Sequence, residues 1–160
     1  MLQGVIQRLY IIEQSKTRLS LREYPLLDWA VAFLLAVTVI ILMIADFQIS
    51  AGVAGGVALF FIIQGRIRTI TFDADSDTMQ ISYQSPLRKQ VATEILLHDI
   101  QRAYLYKGDD EGTQIILVHV NGEELGISVY SEDISVWKDD IVIAINAILY
   151  EAHKDDATSD

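Results

Sequence analysis

Three groups of side chains in this sequence are of types that do chemistry, and their spacing decides how far each can go. Asp73, Asp75 and Asp77 stand at the first three ligand positions of a calcium-binding EF-hand loop. Thr78 then falls where the sharp turn needs glycine, and Gln84 falls where a bidentate glutamate is required. Both flanks also read as strands, so the run is expected to be a solvated β-turn. Asp109, Asp110 and Glu111 form a second acidic cluster. Paired carboxylates do acid–base work when burial drives their pKa values apart. A glycine-containing turn gives no such burial, so these three are read as a soluble loop tip and a contact point for a protein partner. His98, His119 and His153 are scattered over a strand end, a mid-strand position and a helix end. No pair has the i, i+4 spacing of a zinc site, and the chain has no cysteine. A Gly-x-Ser-x-Gly elbow, a phosphate-cradling glycine loop and a dinucleotide fingerprint are all missing. The expectation is a non-enzymatic protein with no cofactor and no metal.

The basic residues of the β-rich part are chiefly Arg66, Arg68, Arg88, Lys89 and Arg102. The first two directly follow a long apolar run, and Arg88 and Lys89 sit at a strand turn that could face the same way. Those two are the candidates for contact with a lipid headgroup. The ordinary role of arginines beside a membrane span is topology and anchoring.

What positions these residues is a pair of apolar stretches. Trp29 to Ala45 and Phe47 to Ile63 are both charge-free and are separated by Asp46 alone. A helix of that length spans roughly 25 Å, the lower limit for crossing a hydrocarbon core. So short a connection predicts a transmembrane helical hairpin, with a buried soluble hairpin as the alternative. Arg18 and Arg22 precede the first stretch and Arg66 and Arg68 follow the second, while the connection has no Lys or Arg. The positive-inside rule then places both termini on the cytoplasmic (or stromal) side of a plasma or thylakoid membrane. Trp29 is expected at the interface, with Arg22, Arg66 and Arg68 as flanking charges. Gly52 and Gly56 make a small-xxx-small pair, read first as packing of the hairpin against itself and second as a dimer contact. Neither stretch holds an ionisable residue, which argues against a channel or transporter. The first starts too late, and lacks the cleavage site, to read as a secretory signal.

The net charge of −10 lies wholly after the second stretch, where eight Lys/Arg face eighteen Asp/Glu from Arg66 onward. So acidic a segment repels phosphates, which argues against nucleic acid and against wide contact with anionic lipid, and suits a basic protein partner or no partner at all. The absence of cysteine fits a reducing compartment.

Around Gln14-Ser15-Lys16, residues 9–12 and 17–22 read as a β-hairpin, with an amphipathic in-plane helix over Leu2 to Ile12 as the competing reading. After the membrane, strands are expected at Arg66–Phe72, from Met79 to Tyr83, at Gln90–Leu97, Ile100–Tyr106 and Gln114–Val120, and around Leu125, Ile127 and Val129. Turns fall at Asp73–Asp77, Ser85-Pro86-Leu87, Lys107–Thr113 and Asn121-Gly122, the last a two-residue hairpin signal. Ser131 is a credible N-cap followed by Glu132 and Asp133, and Ile134, Trp137, Ile141, Ile145, Ile148 and Ala152 make one apolar helical stripe. The expected division is 1–27 as a β-hairpin or amphipathic segment, 28–64 as the transmembrane hairpin, 65–154 as the β-domain with its helix, and 155–160 as a disordered tail.

Six antiparallel strands closed by an amphipathic helix is the element order of a pleckstrin-homology-like barrel. With Ile12-Glu13-Gln14-Ser15-Lys16-Thr17-Arg18-Leu19-Ser20-Leu21-Arg22 before the apolar pair and Leu97-His98-Asp99-Ile100 before the fourth strand, the layout resembles bacterial membrane proteins that follow a transmembrane hairpin with such a domain. It is similar also to thylakoid photosystem I assembly factors. The resemblance implies a membrane α+β fold and a scaffold or assembly-factor role. The alternatives are a lipid-headgroup-sensing module and an accessory subunit of a membrane complex.

Overall fold

A computed structural model describes residues 9–85, 88–108, 112–128 and 136–157, with the side chains of residues 89, 136 and 155–157 left aside. Strand β1 (Leu9–Gln14) turns into β2 (Arg18–Glu23), and helices α1 (Leu26–Ile44) and α2 (Gln48–Gln64) follow. Then come β3 (Ile67–Asp73), β4 (Thr78–Ser85), β5 (Arg88–Leu96), a 3-10 turn at Leu97–Asp99, β6 (Ile100–Gly108), β7 (Gly112–His119), β8 (Glu124–Gly126) and α3 (Val136–Ala157). Every pairing is antiparallel. Strands β1 to β5 form one sheet in sequence order and β6 to β8 a second. The architecture is mixed α+β.

Period-2 alternation builds the core. Leu19 and Leu21 of β2, Ile70 and Phe72 of β3, and Met79 and Ile81 of β4 turn inward and join Ile100, Ala103, Ile115, Leu117 and Ile127 from the second sheet. Helix α3 adds Ile141, Ala144, Ile145, Ile148 and Leu149, the stripe its spacing predicts. Two polar residues tie this helix down. The Asn146 amide donates to the Ala103 carbonyl (2.9 Å) and accepts from the Ala103 N–H (2.8 Å), locking α3 to β6. Lys138 is buried, its ammonium held by the carbonyl and, at 3.0 Å, the hydroxyl of Thr113, with the Trp137 ring 5.5 Å away.

Several expectations change. The N-terminal hairpin is no separate segment: Arg18 to Glu23 pair in register with Asp73 to Arg68, so β1 and β2 belong to the five-stranded sheet and the helices are an insertion between neighbouring strands. Of the residues given to the in-plane helix, 9–12 are strand, and those before Leu9 lie outside the described residues. Among the described residues only α1 is long and apolar enough to cross a membrane. Helix α2 has 17 residues, because Ala45 to Phe47 are spent on the turn. Asp46 takes a left-handed φ of 65° there, a conformation aspartate tolerates.

The small residues of α2 that face α1 are in one register and Gly52 and Gly56 in another. Ala51 and Ala58 are buried and Gly55 meets Val39, whereas a Cβ on Gly52 or Gly56 would meet nothing within 4 Å. The self-packing expected of that pair is therefore made by its neighbours. Beyond Val118↔Glu124, His119 donates to the Glu123 carbonyl (2.8 Å), leaving a three-residue loop, Val120 to Gly122, instead of the two-residue turn, with Gly122 at φ 86°. β6 and β7 run on into the expected Lys107–Thr113 turn, leaving 109–111 between them outside the described residues. Ser131, Glu132, Asp133, Ile134 and Val129 also lie outside the described residues. Helix α3 runs to Ala157, so 155–157 continue the helix where a tail was expected.

Candidate functional site

The insertion of the helices makes one end of the first sheet the place where strands meet helices. Glu23 closes β2, Arg68 lies second in β3, and these two are cross-strand partners. Arg68 in turn pairs with Tyr83, and Tyr83 with Gln90, so Glu23, Arg68, Tyr83 and Gln90 form one row across four strands. Glu23, Arg68 and Tyr83 of that row line a cleft of about 480 Å³ at the foot of α1, with Tyr24, Pro25, Asp28, Gln64 and Arg66. Arg66 and Tyr83 also line a smaller hollow of about 150 Å³ with Ser85, Arg88 and Gln90. The two spaces adjoin, with Arg66 and Tyr83 as shared lining.

Charge is distributed unevenly along it. Arg68 and Glu23 are largely covered and form an ion pair at 3.7 Å, and Arg68 donates a hydrogen bond to the Ile127 carbonyl at 3.0 Å. Burial pushes the Glu23 carboxyl above its usual value, and the Arg68 guanidinium only partly offsets that. Arg66 and Arg88 are exposed and have no carboxylate partner among the described residues. The Ser85 hydroxyl is engaged with the Arg88 backbone at 3.2 and 3.3 Å, and both residues line the hollow. Asp28, in the first turn of α1, is half-buried in the larger cleft and likewise unpaired with any of these arginines.

Aromatic rings brace the site. Tyr10 of β1 meets Tyr24 edge-on at 5.9 Å, and Tyr24 lies 6.2 Å from Trp29. Trp29 and Pro25 close over Gly65: a Cβ there would lie 2.9 Å from the indole nitrogen and 3.3 Å from the proline ring, so only glycine fits without displacement.

Of the residues the sequence singled out, Arg66, Arg68 and Arg88 come together here, with Trp29 at the base. Arg22 alternates to the other face of β2, its Nε buried without a partner among the described residues. Lys89 lies opposite Gln84 in β5, its side chain outside what is described. Arg102 is on the second sheet, over the Tyr104 ring at 5.8 Å. Asp109, Asp110 and Glu111 lie outside the described residues. The three aspartates of the EF-hand-like run go separate ways. Asp73 accepts from the Ser76 N–H (3.4 Å), Asp75 from the Thr17 hydroxyl (3.0 Å), and Asp77, at φ 51°, holds the His98 ring and its N–H. Among the described residues no group of three or more acids and histidines is placed to hold a metal ion. The sequence reading missed Glu23, Asp28, Tyr83 and Gln90. For Glu23 a signal existed: Leu19 and Leu21 face inward, so the same parity turns Glu23 inward, and an inward charge requires a partner.

Compared with models of known protein families and with curated protein sequences, the chain matches none.

Proposed function

We propose that this protein is a non-enzymatic membrane scaffold or assembly factor. In this reading the helical hairpin enters the bilayer and the acidic β-domain is held at the cytoplasmic or stromal surface. The observation that carries it is the exposure of the helices. Phe33, Leu34, Ile40, Ile41, Met43, Ile44, Phe47, Ile49 and Val53 are all more than half exposed, and hardly any of α1 is covered among the described residues. Water does not tolerate an apolar surface of that extent, and a core helix would be buried.

The strand register supports a two-helix excursion despite the shortness of α2. β2 leads into α1, α2 leads into β3, and β2 and β3 are hydrogen-bonded neighbours. A single crossing would put those strands on opposite sides of a bilayer. If α1 enters, α2 must bring the chain back. Flanking arginines on both sides of the insertion favour the cytoplasmic face for the domain. A pleckstrin-homology-like fold is the finer reading: β2 to β5 and β6 to β8 give four strands and then three, α3 follows, and β1 adds an outer strand. The likeness in layout to thylakoid photosystem I assembly factors favours an assembly role over that of a permanent subunit.

Tethering raises the effective concentration of domain and partner on one surface. β1 is the open edge of the first sheet, with Tyr10, Ile11 and Ile12 exposed, and such an edge accepts an added strand. The net charge of −10 favours a basic partner. Capture of the intact chain from its own membranes in mild detergent tests the proposal. The expected result is a basic membrane protein recovered with partly built complexes and lost with Ile12→Lys, which blunts the edge. Recovery only with a finished complex at fixed stoichiometry makes the protein a subunit instead.

A further inference from the structure

Among the described residues, the cleft at the foot of α1 holds an exposed arginine, Arg66, and a carboxylate, Asp28, neither of them in an ion pair, and the adjoining hollow holds a second exposed arginine without a carboxylate, Arg88. Arginines whose task is topology need neither a cavity nor an acid beside them. Arg66 and Asp28 line the same cleft yet form no ion pair, and Arg88 faces the adjoining hollow with Ser85 and Gln90. Glu23 is taken by Arg68 at 3.7 Å, and Arg68 by the Ile127 carbonyl as well, so these two form the fixed floor. The groups left without an ion-pair partner among the described residues are therefore Arg66 and Asp28 in the cleft, with the Gln64 amide beside them, and Arg88 in the hollow, with Gln90 and Ser85; Arg66 and Tyr83 line both spaces.

Guanidinium forks match phosphate oxygens, and a carboxylate matches an ammonium. We propose that this cleft and the hollow beside it bind the headgroup of a zwitterionic phospholipid, with Arg66 and Arg88 on the phosphodiester and Asp28 on the amine. This rests on the membrane reading above, which sets the foot of α1 at headgroup depth. The two signs in one cleft separate this ligand from an anionic lipid, whose headgroup would meet Asp28 unfavourably, as it would the surplus negative charge of the domain. Filling the site would fix the level at which the sheet stands over the bilayer, because Arg66 precedes β3 and Arg88 opens β5.

The test uses the full chain in mild detergent, titrated with phosphatidylethanolamine and separately with phosphatidylglycerol, with bound lipid counted by native mass spectrometry. The expected result is one saturable phosphatidylethanolamine per chain, bound about tenfold more tightly than phosphatidylglycerol. Arg66→Gln with Arg88→Gln should weaken it by about tenfold, the loss of one charge-assisted contact or more. Asp28→Asn should narrow the difference between the two lipids. Circular dichroism and melting of the variants must match the parent, which exposed positions 66 and 88 permit. Equal binding of the two lipids, or full retention by the double variant, overturns the proposal. Equally tight binding of soluble phosphoethanolamine makes the ligand a free phosphate ester and overturns the lipid assignment. Failure of the membrane reading shows itself separately, as release of the chain from its own membranes by alkaline carbonate. A chain that stays in the membrane and shows no lipid preference sinks only the headgroup inference.

Discussion

Glu23 and Arg68 couple the ionisation of one buried carboxyl to the stability of the whole β-domain. Because burial raises the Glu23 pKa above 4.5, the folded state binds that proton more tightly than the unfolded chain does. Ionised Glu23 therefore costs stability above its folded pKa, and the cost is relieved as the pH falls from there to 4.5. Glu23→Gln removes the ionisation and keeps an acceptor for Arg68. It should melt above the parent at neutral pH, with the difference closing near pH 4, as followed by circular dichroism. Arg68→Met leaves the carboxylate buried and alone, and should cost about 3 kcal/mol in denaturant titration at neutral pH, and less in acid. At the opposite end of the core, Asn146→Leu strips both backbone groups of Ala103 of their partner and should cost about 2 kcal/mol. A loss below about 0.5 kcal/mol would mean that water replaces the amide.

Among the elements, strands were legible wherever one face is buried. Met79, Ile81 and Tyr83 alternate with polar residues and lie in β4, and the stripe from Trp137 to Ala152 lies on the face α3 turns inward. Pairing across the helical insertion was not legible. Nothing in Leu19 to Glu23 states that its partner lies beyond two long helices, because the alternation gives the buried face and leaves the neighbour open. The cleft was half legible for the same reason: Arg66 and Arg68 are marked by the apolar run before them, whereas Glu23 joins them only through that pairing. Within the hairpin, self-packing falls to Gly55 and not to Gly52 and Gly56, since hairpin geometry selects the contact face and the spacing of small residues does not. Gly65 is the junction where element geometry is tightest. Gly65→Ala should displace Trp29, shift its fluorescence and cost about 2 kcal/mol of stability. Unchanged Trp29 emission would show that the α2–β3 junction moves aside instead.

For the molecule as a whole, the helices are an excursion from a sheet that is complete without them. Glu23 and Arg68 face each other at its border, so a short glycine-containing turn in place of residues 24–67 spans the same gap. That shortened chain, with Arg68 retained, should fold in water with its β-sheet circular dichroism intact and should no longer sediment with membranes. Aggregation of the shortened chain would show that the helices do more than tether.

The register between β2 and β3 also fixes an order of events during synthesis. The ribosome delivers β2 first, then the oily pair, and only afterwards the strand that β2 needs. Until then Leu19 and Leu21 have no hydrogen-bonded strand on that side, and the nascent sheet stays unfinished. On the membrane reading proposed above, insertion of the oily pair is the clock for folding: delayed passage leaves a sticky half-sheet waiting. Slowing that passage should divert the chain to chaperones and proteases before any partner is met.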